Sequence, residues 1–123
     1  MRNEREEITA EELIHTERKE NAVIIKILIE EVVMYTAPDL REAVINAISE
    51  RPAFVIIDFS AVKRLDSTGL AIIFRVNKLL NEYNGTLRLV GLNKSLLKVL
   101  HNVAGYDDSA YFETTEEATR DLM

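Results

Sequence analysis

The 123-residue chain contains no cysteine, which excludes disulfides, zinc–thiolate centres and thiol chemistry. Its four glycines, Gly69, Gly85, Gly91 and Gly105, never fall into the G-x-x-x-x-G-K-[ST] pattern, so it has no phosphate-binding P-loop. Uninterrupted apolar runs are only a few residues long, far short of a membrane span. Basic residues are the minority, 15 Lys and Arg against 21 Asp and Glu, for a formal charge of −6. That balance argues against nucleic acid or an anionic membrane as the main partner, and membrane insertion is not expected. The opening "MRNEREEITAEE" is charged throughout and lacks the apolar core of a signal peptide. These absences together imply a cytoplasmic protein.

What is present suits one soluble domain: 47% of residues are apolar and 29% charged. Residues 1–10 read as a mobile charged lead-in, and residues 11–123 as a single domain. A first strand is expected over Glu12–Glu17, with a turn at Lys19-Glu20-Asn21. "AVIIKILI" (Ala22–Ile29) follows as a mostly buried, β-branched strand, and the short gap implies an antiparallel hairpin. Thr36 is placed to cap a helix with Pro38 in its first turn and Asp39 three residues after the cap. Ala37, Leu40, Val44, Ala47 and Ile48 give that helix one apolar face, and Arg51-Pro52 ends it.

"AFVIIDF" is a continuous apolar run, the pattern of a central strand covered on both faces. A helix is expected from about Thr68 to Tyr83, stopped by Asn84-Gly85, with Ile72, Val76, Leu79 and Tyr83 in one stripe. "TLRLV" (Thr86–Val90) is a further strand. Asn93 caps another helix that buries Leu96, Leu97, Val99, Leu100 and Val103 and stops at Gly105. A short extended piece at Tyr111-Phe112 precedes Thr114-Thr115-Glu116-Glu117, a capping-box pattern opening a last short helix. The order β-β-α-β-α-β-α-(β)-α implies an α/β layer structure, with a mixed, mostly parallel sheet of four to five strands and about four helices. Functional loops of such sheets gather at the carboxyl ends of the strands.

"DFSAVKRLDSTGL", residues 58–70, lies at such an end. A serine between strand and helix suggests a nucleophile elbow, but that motif is G-x-S-x-G and Leu65 occupies the first glycine's place. A nucleophilic serine also needs a base, and the only histidines are His15 in the first strand and His101 on a late helix. Asp58, Asp66 and Glu30-Glu31 lie at strand ends, where solvated carboxylates are a better reading than a metal site. Asp66, Ser67 and Thr68 are all good N-cap residues, and Gly69 suits close packing. A cap does not exclude modification, because a helix N-terminus favours an added anion through free N–H groups and the dipole. Lys63-Arg64 reads as solvated loop or as a steering element for an acidic partner. Leu70 and Phe74 sit in turns that are apolar all round, so periodicity leaves both core and contact patch open.

"FVIIDFSAVKRLDSTGLAIIF", with "TAPDLREAV" before it and "GTLRLVGLNKSLLKVLHNVAGYDDSAYFETTEEA" after it, resembles a STAS domain. More narrowly, it is similar to the bacterial anti-sigma-factor antagonists, from about Ile8 to Met123. The D-S-[ST]-G-L core between this strand and this helix carries the resemblance. It implies that Ser67 is the phosphoacceptor, with Thr68 as second candidate, and that Asp66, Ser67, Thr68, Gly69 and Leu70 meet the partner. It also implies a partner that is both anti-sigma factor and serine kinase, and a serine phosphatase that resets the switch. ATP and magnesium would belong to the kinase; no cofactor, metal or catalytic residue is expected in this chain.

The family usually shows a Gly-Glu-Leu-Asp-like turn after the second strand, whose acidic residue faces the partner. Here the stretch is Glu30-Glu31-Val32-Val33, with Val33 in the aspartate's place. The partner surface is therefore altered. A second reading follows: a constitutive interaction module, a signalling scaffold or transporter-associated subunit, in which Ser67 is only a cap.

Overall fold

A computed structural model describes residues 9–104 and 110–122, and within these the side chains of Val103 and Ala104 are not described. The expected stop at Gly105, the burial of Val103, most of the lead-in and the final Met123 lie outside what is described. Strands β1 (Ile14–Arg18), β2 (Ala22–Ile27), β4 (Phe54–Asp58), β6 (Thr86–Val90) and β7 (Tyr111–Phe112) form one sheet in the order β1-β2-β4-β6-β7. β1 and β2 are the expected antiparallel hairpin, and every other neighbour in this sheet is parallel. The mixed, mostly parallel sheet of the sequence reading is thus what forms.

Strand periodicity sorts the apolar residues onto two faces. Val23, Ile25, Ile27, Val55, Ile57, Leu87 and Leu89 belong to the larger core. Helices α2 (Ala37–Ala47), α3 (Ser67–Asn81) and α4 (Lys94–Val99) supply Leu40, Val44, Ile73, Val76, Leu80 and Leu96 to it. On the other face Ala22, Ile24, Ile56 and Val90 pack with Ala118 of helix α5 (Thr115–Thr119), joined by Phe54, Phe112 and Leu122. Val55, Ile56 and Ile57 of β4 are essentially without solvent contact, and side chains so buried contribute roughly 1.5–3 kcal/mol each.

Arg88 anchors the second face. Its guanidinium lies 5.0 Å from the Phe54 ring centre and 5.5 Å from that of Phe112. It donates to the Ala118 carbonyl at 2.8 Å and to both carboxylate oxygens of Asp121 at 2.7 and 3.0 Å.

Several expectations are corrected. Residues Ala10–Leu13 form a short helix, α1, so the first strand begins at Ile14 rather than Glu12. Glu12 folds back to accept from the Thr9 amide at 3.3 Å, a local closure that favours helix over strand. Ala10 is the first residue of α1, and the described α-helices number five. β2 ends at Ile27. Thr36 stands before α2 but leaves it uncapped, because its hydroxyl is spent on the preceding turn. Helix α3 begins at Ser67 and ends at Asn81, with Asn84 in the left-handed region at φ 65°. Val99, expected in the core, is exposed.

Two residues of β3 (Glu31–Val32) pair in parallel with two of β5 (Arg64–Leu65), a separate ribbon that sequence pattern did not show. Runs of two residues carry no periodicity to detect.

Candidate functional site

The β3–β5 ribbon brings two distant loops together at the start of α3. Asp66 follows β5 directly and adopts extended backbone (φ −96°, ψ −171°), so it is the N-cap and Ser67 is the first helical residue. One Asp66 carboxylate oxygen, Oδ1, accepts from the Thr68 amide at 2.9 Å and the Gly69 amide at 3.2 Å. The same oxygen accepts a very short hydrogen bond from the Thr68 hydroxyl. Its Oδ2 accepts from the Met34 amide at 3.0 Å, across the ribbon.

Four donors on one carboxylate hold Asp66 below the usual carboxylate range. The Thr68 hydroxyl is the largest cause, partial desolvation opposes it, and the Gly69, Met34 and Thr68 amides add to the lowering. Asp66 is therefore anionic at neutral pH and offsets the positive end of α3. Of the amides in the first turn of α3, those of Thr68 and Gly69 are already taken by Asp66.

Ser67 and Thr68 differ in what their hydroxyls do. Both residues are exposed. The Thr68 proton is committed to Asp66, whereas among the described residues the Ser67 hydroxyl has no hydrogen-bond partner. Neither histidine is bonded to it: His15 lies on β1 and His101 in the π-turn Leu100–Ala104 after α4. Ser67 is thus an accessible, unactivated hydroxyl in the first turn of a helix.

Gly69 is required by packing. A Cβ there would stand 2.6 Å from the Val32 carbonyl oxygen and 2.9 Å from Leu65 Cδ1. That close approach fixes the rotation of α3 against the ribbon. Leu70, expected to meet the partner, is consequently buried at 6% exposure, and Phe74 is the one that projects, at 41%.

Lys63 and Arg64 are not free cations. Lys63 pairs with Glu30 at 3.3 Å and Arg64 with Glu31 at 2.8 Å, all four side chains being well exposed. Among the described residues no cluster of three or more His, Asp or Glu could hold a metal ion. No helix there is long and apolar enough to cross a membrane.

The sequence reading passed over Met34 and Tyr35. They follow Val33 in the turn between β3 and α2 and are 62% and 84% exposed. Met34 also borders an open groove of about 960 Å³ between α2 and α3, together with Thr68, Ala71 and Arg75. The available signal was two large apolar residues in a short connection, where small polar residues are usual.

Comparison with known proteins follows the same geometry. No curated protein matches the chain in sequence. An anti-sigma factor antagonist from Mycobacterium paratuberculosis superposes with a TM-score of 0.75 at 24% identity, over 89% of this chain and 92% of that one. The Bacillus cell fate determinant SpoIIAA in its phosphorylated form gives 0.68 at 20% identity, over 89% and 97%. A sulfate transporter family protein from Wolinella succinogenes gives 0.67 at 18% identity, over 81% and 83%. At these identities the likeness is one of fold. The STAS domain family model matches residues 14–118, nearly the whole described fold including the Asp66–Gly69 turn, and the chain belongs to that family.

Proposed function

We propose that the chain is an anti-sigma-factor antagonist whose binding to an anti-sigma factor/serine kinase is switched off by phosphorylation of Ser67. The observation that carries this reading is the contrast at the start of α3: an exposed Ser67 hydroxyl without a hydrogen bond among the described residues, beside a Thr68 hydroxyl committed to Asp66. The contrast also favours Ser67 over Thr68 as acceptor. The chain acts as substrate and not as catalyst, the kinase bringing ATP, magnesium and the base, and a serine phosphatase restoring the free hydroxyl.

A phosphoserine carries about −1.5 to −2 charges at neutral pH. On Ser67 it would sit next to the ionised Asp66, whose carboxylate already holds the nearest helix amides. The added charge therefore stays at the surface, where Asp66, Ser67 and Thr68 would face the kinase while Gly69, also expected to meet it, is buried against Val32, and binding is weakened by repulsion and desolvation rather than by refolding. A small regulator of this kind works in the cytoplasm beside its sigma factor.

The test is to incubate the purified chain with ATP, magnesium and each anti-sigma-factor-type serine kinase of its own genome, then locate phosphate by mass spectrometry. One phosphate at Ser67 is the expected result. Phosphate found only at Thr68 or elsewhere overturns the assignment of the acceptor. The likeness to the sulfate transporter family protein supports a second reading, a constitutive module that is never phosphorylated. Under it, Ser67→Ala and Ser67→Asp variants retain the same partners with equal affinity.

A further inference from the structure

We infer that β1 is the docking edge for a second copy of this chain, two β1 strands pairing antiparallel about Thr16 to make one continuous sheet. This goes beyond the function proposed above and uses none of the residues around Ser67. β1 is an outer strand of the five-stranded sheet, with β2 as its only neighbour there. The hairpin is closed at one end by the Lys19 amide on the Ala22 carbonyl and at the other by the Leu28 amide on the Leu13 carbonyl. Antiparallel bonding alternates along a strand. Within the unbroken register from Ile14–Ile27 to Arg18–Val23, His15 and Glu17 therefore bond inward to β2. Thr16 and Arg18 turn their N–H and C=O groups outward, as does the Ile14 carbonyl, while the Ile14 amide is held by the Ala10 carbonyl. Among the described residues no backbone group meets the outward ones.

An open edge of this kind is a template for another strand, and sheets usually blunt it by shortness, proline, a bulge or a cover. The opposite edge is blunted, because β7 is only two residues long. β1 runs for five residues without proline or bulge.

The occupant follows from the sequence of the strand. Ile14-His15-Thr16-Glu17-Arg18 is its own complement when reversed about Thr16. The Thr16 amide and carbonyl then exchange bonds with the partner's Thr16, and the Arg18 amide reaches the partner's Ile14 carbonyl. His15 stands opposite the partner's Glu17 at a position between bonds, where facing side chains are closest. Both residues are exposed. His15 makes no hydrogen bond or ion pair among the described residues, and Glu17 meets Lys19 through one carboxylate oxygen only, at 3.4 Å. Lys26 lies across from His15 on the β2 side, so Lys26, His15 and the partner's Glu17 form a row in which the acid faces basic groups. Sliding the pair one bonding step either way sets Glu17 against Glu17 or His15 against His15, and like charges directly opposite are unfavourable. One register is thus selected, and it closes as a two-fold dimer.

The experiment is sedimentation of the full chain at rising concentration. The wild type is expected to dimerise reversibly below about 1 mM, as suits a small interface. His15→Glu and Glu17→Lys each set like charges across the contact and are expected to raise the dimer Kd about fivefold or more. The double variant His15→Glu/Glu17→Lys restores unlike charges and is expected to return toward wild type. Because the chain has no cysteine, Thr16→Cys supplies a single thiol per copy. In this register the two Cα atoms at position 16 stand about 5.5 Å apart, within disulfide range. Mild oxidation with copper–phenanthroline is expected to crosslink that variant and to leave Arg18→Cys, which lies opposite Ile14, largely uncrosslinked. A wild type that stays monomeric to about 1 mM overturns the inference. A dimer indifferent to the charge variants, or one crosslinked by Arg18→Cys in place of Thr16→Cys, puts the contact on another surface and overturns it too.

Discussion

The Asp66 carboxylate accepts a hydrogen bond from the Met34 amide at 3.0 Å, joining residues 32 positions apart. The same carboxylate caps α3 through the Thr68 and Gly69 amides. One side chain thus serves a helix start and a turn that belong to different parts of the sequence.

Substituting Asp66 separates those two duties. Asn caps helices about as well as Asp, so Asp66→Asn is expected to preserve the start of α3. Its amide group would then turn a donor toward the Met34 N–H, or leave one helix amide without an acceptor. Faster hydrogen exchange at the Met34 amide, with slow exchange retained in the middle of α3, is the expected signature. Equal protection of Met34 in both proteins would show that the link is not what holds the turn.

Gly69→Ala should destabilise the fold although alanine is the better helix former. The intrinsic gain is at most about 1 kcal/mol, whereas a Cβ 2.6 Å from the Val32 carbonyl oxygen forces backbone apart. Overpacking of this kind costs about 1–3 kcal/mol, and chemical denaturation measures the difference. A stabilised variant would mean that ribbon and helix separate more easily than their packing implies.

Ser67→Ala and Ser67→Asp are expected to melt close to the wild type, since the Ser67 hydroxyl makes no hydrogen bond among the described residues. Thr68→Val should lower the melting temperature measurably, because its hydroxyl is bonded to Asp66. Calorimetry on the four proteins distinguishes the two positions. A large loss at Ser67 would assign it a structural role.

Acid should weaken the fold through two carboxylates. Asp121 is held below its ordinary value of 3.8, chiefly by hydrogen bonding to Arg88, and Asp66 is lowered by the Thr68 hydroxyl and three amides. A carboxylate lowered in the folded state adds stability that is complete above its unfolded value and is lost as pH falls through the folded one. Melting temperature is therefore expected to drop as pH falls below about 4. The gap between wild type and Asp121→Asn, present at neutral pH, should close over the same range. A constant gap would place the Asp121 effect outside its ionisation.

Arg88→Lys tests the second face of the sheet. Lysine keeps the charge but cannot reproduce the paired bonds to Asp121 or the flat guanidinium between Phe54 and Phe112. The loss is expected near 1–2 kcal/mol, reduced by the exposure of Asp121. Limited proteolysis should then cut first within residues 115–122, where α5 is held down.

The main sheet and α2 to α4 were legible because their apolar residues recur at strand or helix spacing over many positions. Leu40 and Val44 or Ile56 and Ile57 could hardly be placed elsewhere. The site was legible only in outline. Three cap-forming residues stand in a row at 66–68, and the choice of Asp66 depends on Met34, which sequence order keeps far away. Leu70 and Phe74 were undecided for a related reason, since the rotation of α3 is set by Gly69 meeting Val32. The Lys63 and Arg64 pairings to Glu30 and Glu31 likewise arise from the β3–β5 contact, which two-residue strands do not announce.

That ribbon has an evolutionary consequence. Its register pairs, Glu31 with Arg64 and Val32 with Leu65, are separate from those of the five-stranded sheet. Residues 33–35 and 63–64 can therefore be exchanged as a matched pair of segments while each pairing of the main sheet stays in place. The scaffold and the surface beside Ser67 are free to diverge at different rates. A lineage could change the protein it answers to by rewriting a handful of positions, keeping Val32, Asp66 and Gly69 as the frame.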